Sequence, residues 1–229
     1  MDESAQQKRS RQGGHDAFTR MYLVRHAPVV GAGRGALGLL YATNDEPADT
    51  SDTPSFRWLA DWLPKNALLV TSGLKRTEAT ANAFLAEGYV AAERHVDPRF
   101  EEQFYGDWHG ADRSSLADAR QAAPHAHWFH SAAETPPGGE SFIDVHARVA
   151  AALNDWAERA TGRNVVIVGH GGVFRAALAH ALGIDLDRAL TISIENLSVT
   201  RIDRRVESSE PDIAGGPWRT VYVNRRPDR

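Results

Sequence analysis

Three short apolar runs in this chain end in residues that can do chemistry. Met21 to Val24 runs into Arg25-His26, Ala67 to Val70 runs into Thr71-Ser72 with Arg76 one turn later, and Val165 to Val168 runs into Gly169-His170. An imidazole nitrogen can take a phosphoryl group and release it to water. Guanidinium groups supply fixed, bidentate positive charge for phosphoryl oxygens. Uncatalysed cleavage of a phosphate monoester is so slow that enzymes accelerate it by up to ~10²¹. Oxygen binding alone does not reach that figure, so the leaving oxygen also needs a proton donor. Glu101 and Glu102 are the candidates, in a loop between Asp97 and Gly110 that is rich in acids and aromatics. A lone histidine at a strand end is ordinarily a hydrogen-bonded structural residue. Two of them, each behind a buried run and accompanied by Arg25 and Arg76, outweigh that reading.

These residues need strands that aim them at one point. The three apolar runs read as buried strands. Helices are expected over Phe56–Leu63, closed by Pro64, over Leu74–Leu85, over Ser114–Ala123, over Ser141–Ala160, and over Val173–Leu182, ended by Gly183. A weaker strand is expected near Val90–Val96. Leu197–Ile202 and Trp218–Val223 alternate apolar and polar residues, as half-exposed strands do, with a polar turn over 204–217. Residues 27–53 and 124–140 read as loops. Strands alternating with helices argue for an α/β fold, a three-layer α/β/α sandwich with a mostly parallel central sheet. In such sheets ligands bind beyond the carboxyl ends of the strands. Helices starting there add positive N-terminal ends.

The bulk composition narrows the alternatives. With 229 residues, the expected organisation is a flexible N-terminal tail over residues 1–19 and a single catalytic domain over 20–229. A net charge of -4 gives no global attraction for nucleic acid or an anionic membrane. No segment has the length and apolarity of a signal peptide core or a membrane span. The chain has no cysteine, which excludes disulfides, a thiol nucleophile and thiolate metal sites, and fits a cytoplasmic location. There is no nucleotide loop of the GxxxxGK[ST] type and no carboxylate cluster for a metal.

Taken in order, the motifs resemble those of the histidine phosphatase, or phosphoglycerate mutase-like, superfamily. Leu23-Val-Arg-His-Ala27 resembles its Arg-His-Gly signature. Ser72-Gly-Leu-Lys-Arg76-Thr-Glu-Ala-Thr80-Ala81 is similar to its Ser-Pro-Leu-x-Arg-Ala-x-Gln-Thr-Ala segment. Asp97 to Glu102 with Tyr105-Gly-Asp-Trp108, then Pro137-Gly-Gly-Glu-Ser141, Val166 to Arg175, and Asn196 to Thr200 come in the family's order, spanning about residues 21–202. The resemblance implies that His26 is phosphorylated and that Arg25, Arg76 and His170 hold the phosphoryl oxygens. It also implies that Glu102, four residues before Gly106, is the acid and then the base that activates water. It implies a metal-independent, cofactor-free phosphatase for a small phosphorylated substrate, with specificity set by loops near 31–53 and 111–140. Oligomeric state is left open. Ala27 and Gly73 depart from the family's glycine and proline. Pro28, Val29 and Val30 stand where the mutase branch carries an acid and Trp-Asn. Tyr41 to Asp45 faintly resembles a segment of α-ribazole phosphatase-like members.

Two rivals share the phosphate chemistry: a cofactor-dependent phosphoglycerate mutase-type transfer, and a non-catalytic phosphate-binding regulatory module. Three other patterns have plainer readings. Gly33 to Gly38 spells GxGxxG but reads as loop followed by helix, so a nucleotide-dependent oxidoreductase is not expected. Ser72 to Lys75 spells SxxK without its usual partners. His125, His127 and His130, with Trp128 and Phe129, read as a cap over the cleft rather than a metal site. Trp108 reads as a packing residue, Arg175 as locally paired, and Asn196-Leu-Ser198 as a sequon only in a secreted protein.

Overall fold

A computed structural model describes residues 18–30, 45–112, 115–116, 118–206 and 214–227. The Gly33–Gly38 motif, most of the 31–53 loop and residues 1–17 of the expected tail lie outside them. Six strands form one sheet: β1 (Phe18–Arg25), β2 (Ala67–Thr71), β3 (Ala91–Val96), β4 (Asn164–Gly169), β5 (Val199–Arg205) and β6 (Trp218–Arg225). Their order is β3-β2-β4-β1-β5-β6. The β2–β3, β2–β4 and β1–β4 pairings are parallel, while β1–β5 and β5–β6 are antiparallel. Phe18 and Thr19, expected in the tail, are paired residues of β1.

Alternation along the inner strands sends side chains into two cores. Met21, Leu23, Val165 and Ile167 pack with Phe142, Val149, Trp156 and Phe174, from helices α3 (Phe142–Arg159) and α4 (Gly171–Leu182). Val24, Leu69, Val166 and Val168 pack on the other face with Phe56, Leu59, Ala81 and Phe84, from α1 (Thr53–Trp62) and α2 (Lys75–Ala86). The sheet is thus the middle layer of three, as the apolar runs imply, because strands covered on both faces must be apolar throughout.

Local chemistry sets the helix ends. The Asp52 side chain accepts from the Ser55 N–H at the start of α1. Ser141 and Asp144 form a reciprocal capping box on α3. Gly183 closes α4 in the left-handed region at φ 62. A short α5 (Leu186–Leu190) comes next.

The helix expected over 114–123 is corrected. Its described residues form a short 3-10 turn at 115–116 and then turns and bends. Leu116 is the one described residue there packed into an apolar cluster, so the segment has no stripe to bury. The buried Glu134 carboxylate also takes the Gln121 and Ala122 N–H groups, drawing that backbone away from helical bonding.

Candidate active site

β1 and β4 lie side by side in register, with Arg25 opposite Gly169, so the residues just beyond them, His26 and His170, emerge together. Their rings are 5.1 Å apart, centroid to centroid. Both are buried, at 2% and 0% exposure. His26 Nδ1 lies 2.6 Å from the Ala27 carbonyl oxygen. A carbonyl only accepts, so Nδ1 carries the proton and the Nε2 lone pair is left for chemistry. Burial, then Arg25 and Arg76, push the His26 pKa well below the ordinary imidazole value. The ring is therefore neutral and nucleophilic at neutral pH.

Arg76 stands in the first turn of α2, which comes after the adjacent strand β2. Its Nε–H donates to His170 Nδ1 at 3.1 Å. That fixes the other tautomeric site: Nε2–H of neutral His170 donates to Ser72 Oγ at 3.0 Å. Ser72 Oγ lies 3.0 Å from Thr77 Oγ1, and the Thr77 hydroxyl donates to the Leu74 carbonyl. The proton order is set from Thr77 back to His170. Burial, then Arg76, lower the His170 pKa well below the usual value. The sequence singled out His170 as a phosphoryl ligand, yet here both of its nitrogens are engaged by protein groups.

Arg25 ends β1. Its Nη1–H donates to the Ile194 carbonyl, and its Nε is buried without a hydrogen-bond partner among the described residues. The guanidinium lies against the first residue of α4, where a Cβ on Gly171 would stand 3.6 Å from Arg25 Cζ. The first turns of α2 and α4 face this region, and carboxylates meet their N–H groups, Asp45 at Lys75 N–H (2.6 Å) and Glu102 at Gly172 N–H.

Glu102 arrives from the loop after β3. Its Oε2 accepts the Gly172 N–H at 3.2 Å, on the first turn of α4, and its Oε1 accepts the Gln103 N–H at 3.1 Å. Gly172 leaves room for this contact, since a Cβ would stand 3.3 Å from Glu102 Cδ and closer still to Oε1. Further along, the loop is clasped backbone to backbone by the Pro136–Glu140 turn. Asp107 N–H donates to Pro137 O at 2.9 Å, and Glu140 N–H donates to Phe104 O at 2.9 Å. A Cβ on Gly139 would stand 2.6 Å from Phe104 O, so only glycine permits this approach. Glu101, half-buried, has its carboxyl raised chiefly by burial, with Arg148 lowering it and Asp45 raising it.

The five expected residues therefore converge beyond the carboxyl ends of β1, β2 and β4. Others escaped the sequence reading. Asn196 Nδ2 donates to the His26 carbonyl at 2.7 Å. Thr80 Oγ1 accepts the Ala27 N–H at 2.9 Å and donates to Arg76 O at 2.7 Å, tying the two motifs together. Both lie inside the quoted motifs, but their roles depend on strand order, which no local pattern carries. His125 and His130 bond backbone oxygens of Asp187 and Ser131. Among the described residues no group of three or more acidic or histidine side chains could hold a metal ion. Trp108 packs with Leu116, and Arg175 donates to Ile192 O and lies over the Trp128 ring.

Residues 21–212 match the model of a family described as the histidine phosphatase superfamily, branch 1. Glucosyl-3-phosphoglycerate phosphatase of Mycolicibacterium vanbaalenii is 32% identical over 127 residues, covering 52% of this chain and 55% of that protein. A 2,3-bisphosphoglycerate-dependent phosphoglycerate mutase of Cytophaga hutchinsonii is 32% identical over 112 residues, 48% of this chain and 53% of the other. The matches thus span about half the length of these two relatives. The solved structure of a mycobacterial glucosyl-3-phosphoglycerate phosphatase superposes with a TM-score of 0.68 at 22% identity, over 90% of this chain and 99% of that one. That likeness is one of fold. With the family match covering most of the chain and the paired histidines, arginines and loop acid in its order, the chain belongs to the histidine phosphatase superfamily.

Proposed function

We propose that residues 18–229 form one catalytic domain, a metal-independent phosphatase that hydrolyses a small phosphate monoester through phosphohistidine. The observation that carries this reading is the state of His26: neutral, with Nδ1–H held by Ala27 O and the lone pair on Nε2. In the first step Nε2 attacks phosphorus, the phosphorus–oxygen ester bond breaks, and Glu102 gives its proton to the leaving alkoxide. The phosphorylated ring is cationic and keeps its Nδ1–H on Ala27 O. In the second step the Glu102 carboxylate takes a proton from water as the water oxygen attacks phosphorus. The phosphorus–nitrogen bond breaks, releasing inorganic phosphate and neutral His26. Arg25, Arg76 and His170 bind the phosphoryl oxygens, His170 by sharing its Nε2–H between Ser72 and the ligand. Charge-assisted bonds of this kind are worth about 1.5–3 kcal/mol each.

The substrate class to screen first is phosphorylated glycerate and its sugar derivatives, which the names of the relatives suggest. The chain is net negative, so in this reading nucleic acid is not a substrate, and the compartment is the cytoplasm. Among the described residues no helix is long and apolar enough to cross a membrane. The test is a radiolabelled phosphoenzyme, labile in acid and stable in alkali, formed by the wild type and absent from His26→Asn. A correctly folded His26→Asn that still turns over refutes the assignment. Incubation with 3-phosphoglycerate, with and without bisphosphoglycerate, separates hydrolysis from mutase-type transfer.

A further inference from the structure

Glu102 sits on a loop, yet a general acid needs a fixed position, within hydrogen-bond reach of the oxygen it protonates. The loop is held by one ion pair between Arg148 on α3 and Glu140, just before that helix. Arg148 Nη1 donates to two carbonyls, Arg99 O and Glu101 O, both at 2.8 Å. Its Nε and Nη2 form a fork on Glu140, at 3.0 Å to Oε2 and 2.8 Å to Oε1. Glu140 completes the frame on the far side of Glu102. Its carbonyl accepts Gln103 Nε2 at 2.9 Å and its Oε1 accepts the Phe104 N–H at 3.0 Å. The Gln103 side chain that makes this bond belongs to a residue only 1% exposed. The peptide groups on either side of Glu102 are thus fastened to the same guanidinium–carboxylate unit. The unit is well shielded, with side-chain exposures of 22% and 24%.

We propose that Arg148 and Glu140 are positioning residues for the acid Glu102. They touch no reacting atom. Their fork registers the Arg99–Phe104 backbone so that the Glu102 carboxyl rests on the first turn of α4, beside His170. A lysine at 148 keeps the charge but offers one compact donor head in place of a planar fork, so it cannot reach both carbonyls and both carboxylate oxygens. This inference rests on the acid role of Glu102 proposed above, and its test must separate the two.

The test compares an alkyl phosphate, whose leaving oxygen needs a proton, with nitrophenyl phosphate, whose leaving oxygen does not. Rapid-quench rates of phosphoenzyme formation are measured for wild type, Arg148→Gln, Arg148→Lys, Glu140→Gln and Glu102→Gln. Positioned acids contribute typically 10²–10⁴-fold, so Arg148→Gln is expected to slow the alkyl substrate by about 10-fold or more. Nitrophenyl transfer stays within about threefold of wild type, since it does not draw on the acid. Arg148→Lys falls between wild type and Arg148→Gln on the alkyl substrate. Equal slowing of both substrates by Arg148→Gln, or no slowing of either, overturns the positioning role while Glu102→Gln still discriminates. If Glu102→Gln itself slows both alike, the acid assignment falls and the positioning role with it. Should Arg148→Gln fail to fold, Glu140→Gln carries the same comparison with the same two outcomes.

Discussion

Gly172→Ala separates catalysis from stability at a single methyl group. A Cβ at residue 172 meets the Glu102 carboxylate, standing 3.3 Å from its Cδ and nearer to Oε1. To restore ordinary van der Waals separation the carboxylate must retreat by about 1 Å. Because the obstructed atoms are the tip of a flexible side chain, the fold itself is spared. Alanine in place of glycine gains about 0.5–1 kcal/mol in a helix. Loss of the capping Gly172 N–H to Glu102 bond costs about 0.5–2 kcal/mol, so net stability stays within about 1.5 kcal/mol of wild type. Catalysis responds differently, since a 1 Å misplacement of a catalytic group can cost about 10²-fold. The expected outcome is a loss of about 10–100-fold in kcat for alkyl phosphates, with nitrophenyl phosphate much less affected and the Tm nearly unchanged. Thermal melts with steady-state kinetics on both substrates check this. An alanine variant that retains full alkyl phosphatase activity would show that the observed Glu102 position is not the working one.

The same geometry sets three further outcomes. His26 and His170 are held neutral by burial, so the unfolded chain binds protons that the folded chain refuses as pH falls below about 6.5. Stability should therefore be lost on acidification by up to about 1.4 kcal/mol per pH unit for each of the two, and urea titrations from pH 7 downward in the His26→Asn background should show a shallower decline. Asn196→Ala strips the His26 carbonyl of its 2.7 Å donor and should cost about 1–3 kcal/mol, read as a shift of the urea midpoint; an unshifted midpoint would mean that water replaces the amide without penalty. Turnover should survive dialysis against EDTA and be inhibited by vanadate far more strongly than by sulfate, as a five-coordinate mimic of in-line transfer requires; restoration of a lost activity by Mg²⁺ would refute the metal-independent mechanism.

The reactive residues were legible because burial leaves a loud signal. A run such as Val165–Val168, apolar at every position and bounded by Gly169, reads as an inner strand, and the residues just after it stand at the sheet's carboxyl edge. The neighbours of each strand were not legible. β1 pairs with β4 and β5, whose residues lie more than a hundred positions later, and only that pairing brings Asn196 under His26. The Arg148–Glu140 fork was not legible either, since Glu140 lies inside a quoted motif but nothing local pairs it with an arginine two turns into the helix that follows. The failed helix at 114–123 shows the converse, because local propensity there yields to a distant buried carboxylate, Glu134, that claims the backbone.

The clasp between Phe104–Asp107 and Pro137–Glu140 also bears on how such a protein can diversify. It closes the two ends of the intervening segment backbone to backbone, so that segment hangs from a stem whose geometry owes nothing to its own sequence. Changes between about residues 111 and 127, short of Trp128 and Ala132, which pack on the main core, are then expected to leave the acid loop where it is. Where that segment sets specificity, as the family resemblance implies, selection can redraw the range of esters admitted while the proposed hydrolytic apparatus is inherited intact. The cost of that freedom is concentrated in a few glycines, Gly106 and Gly139 above all, where any side chain would pry the stem open.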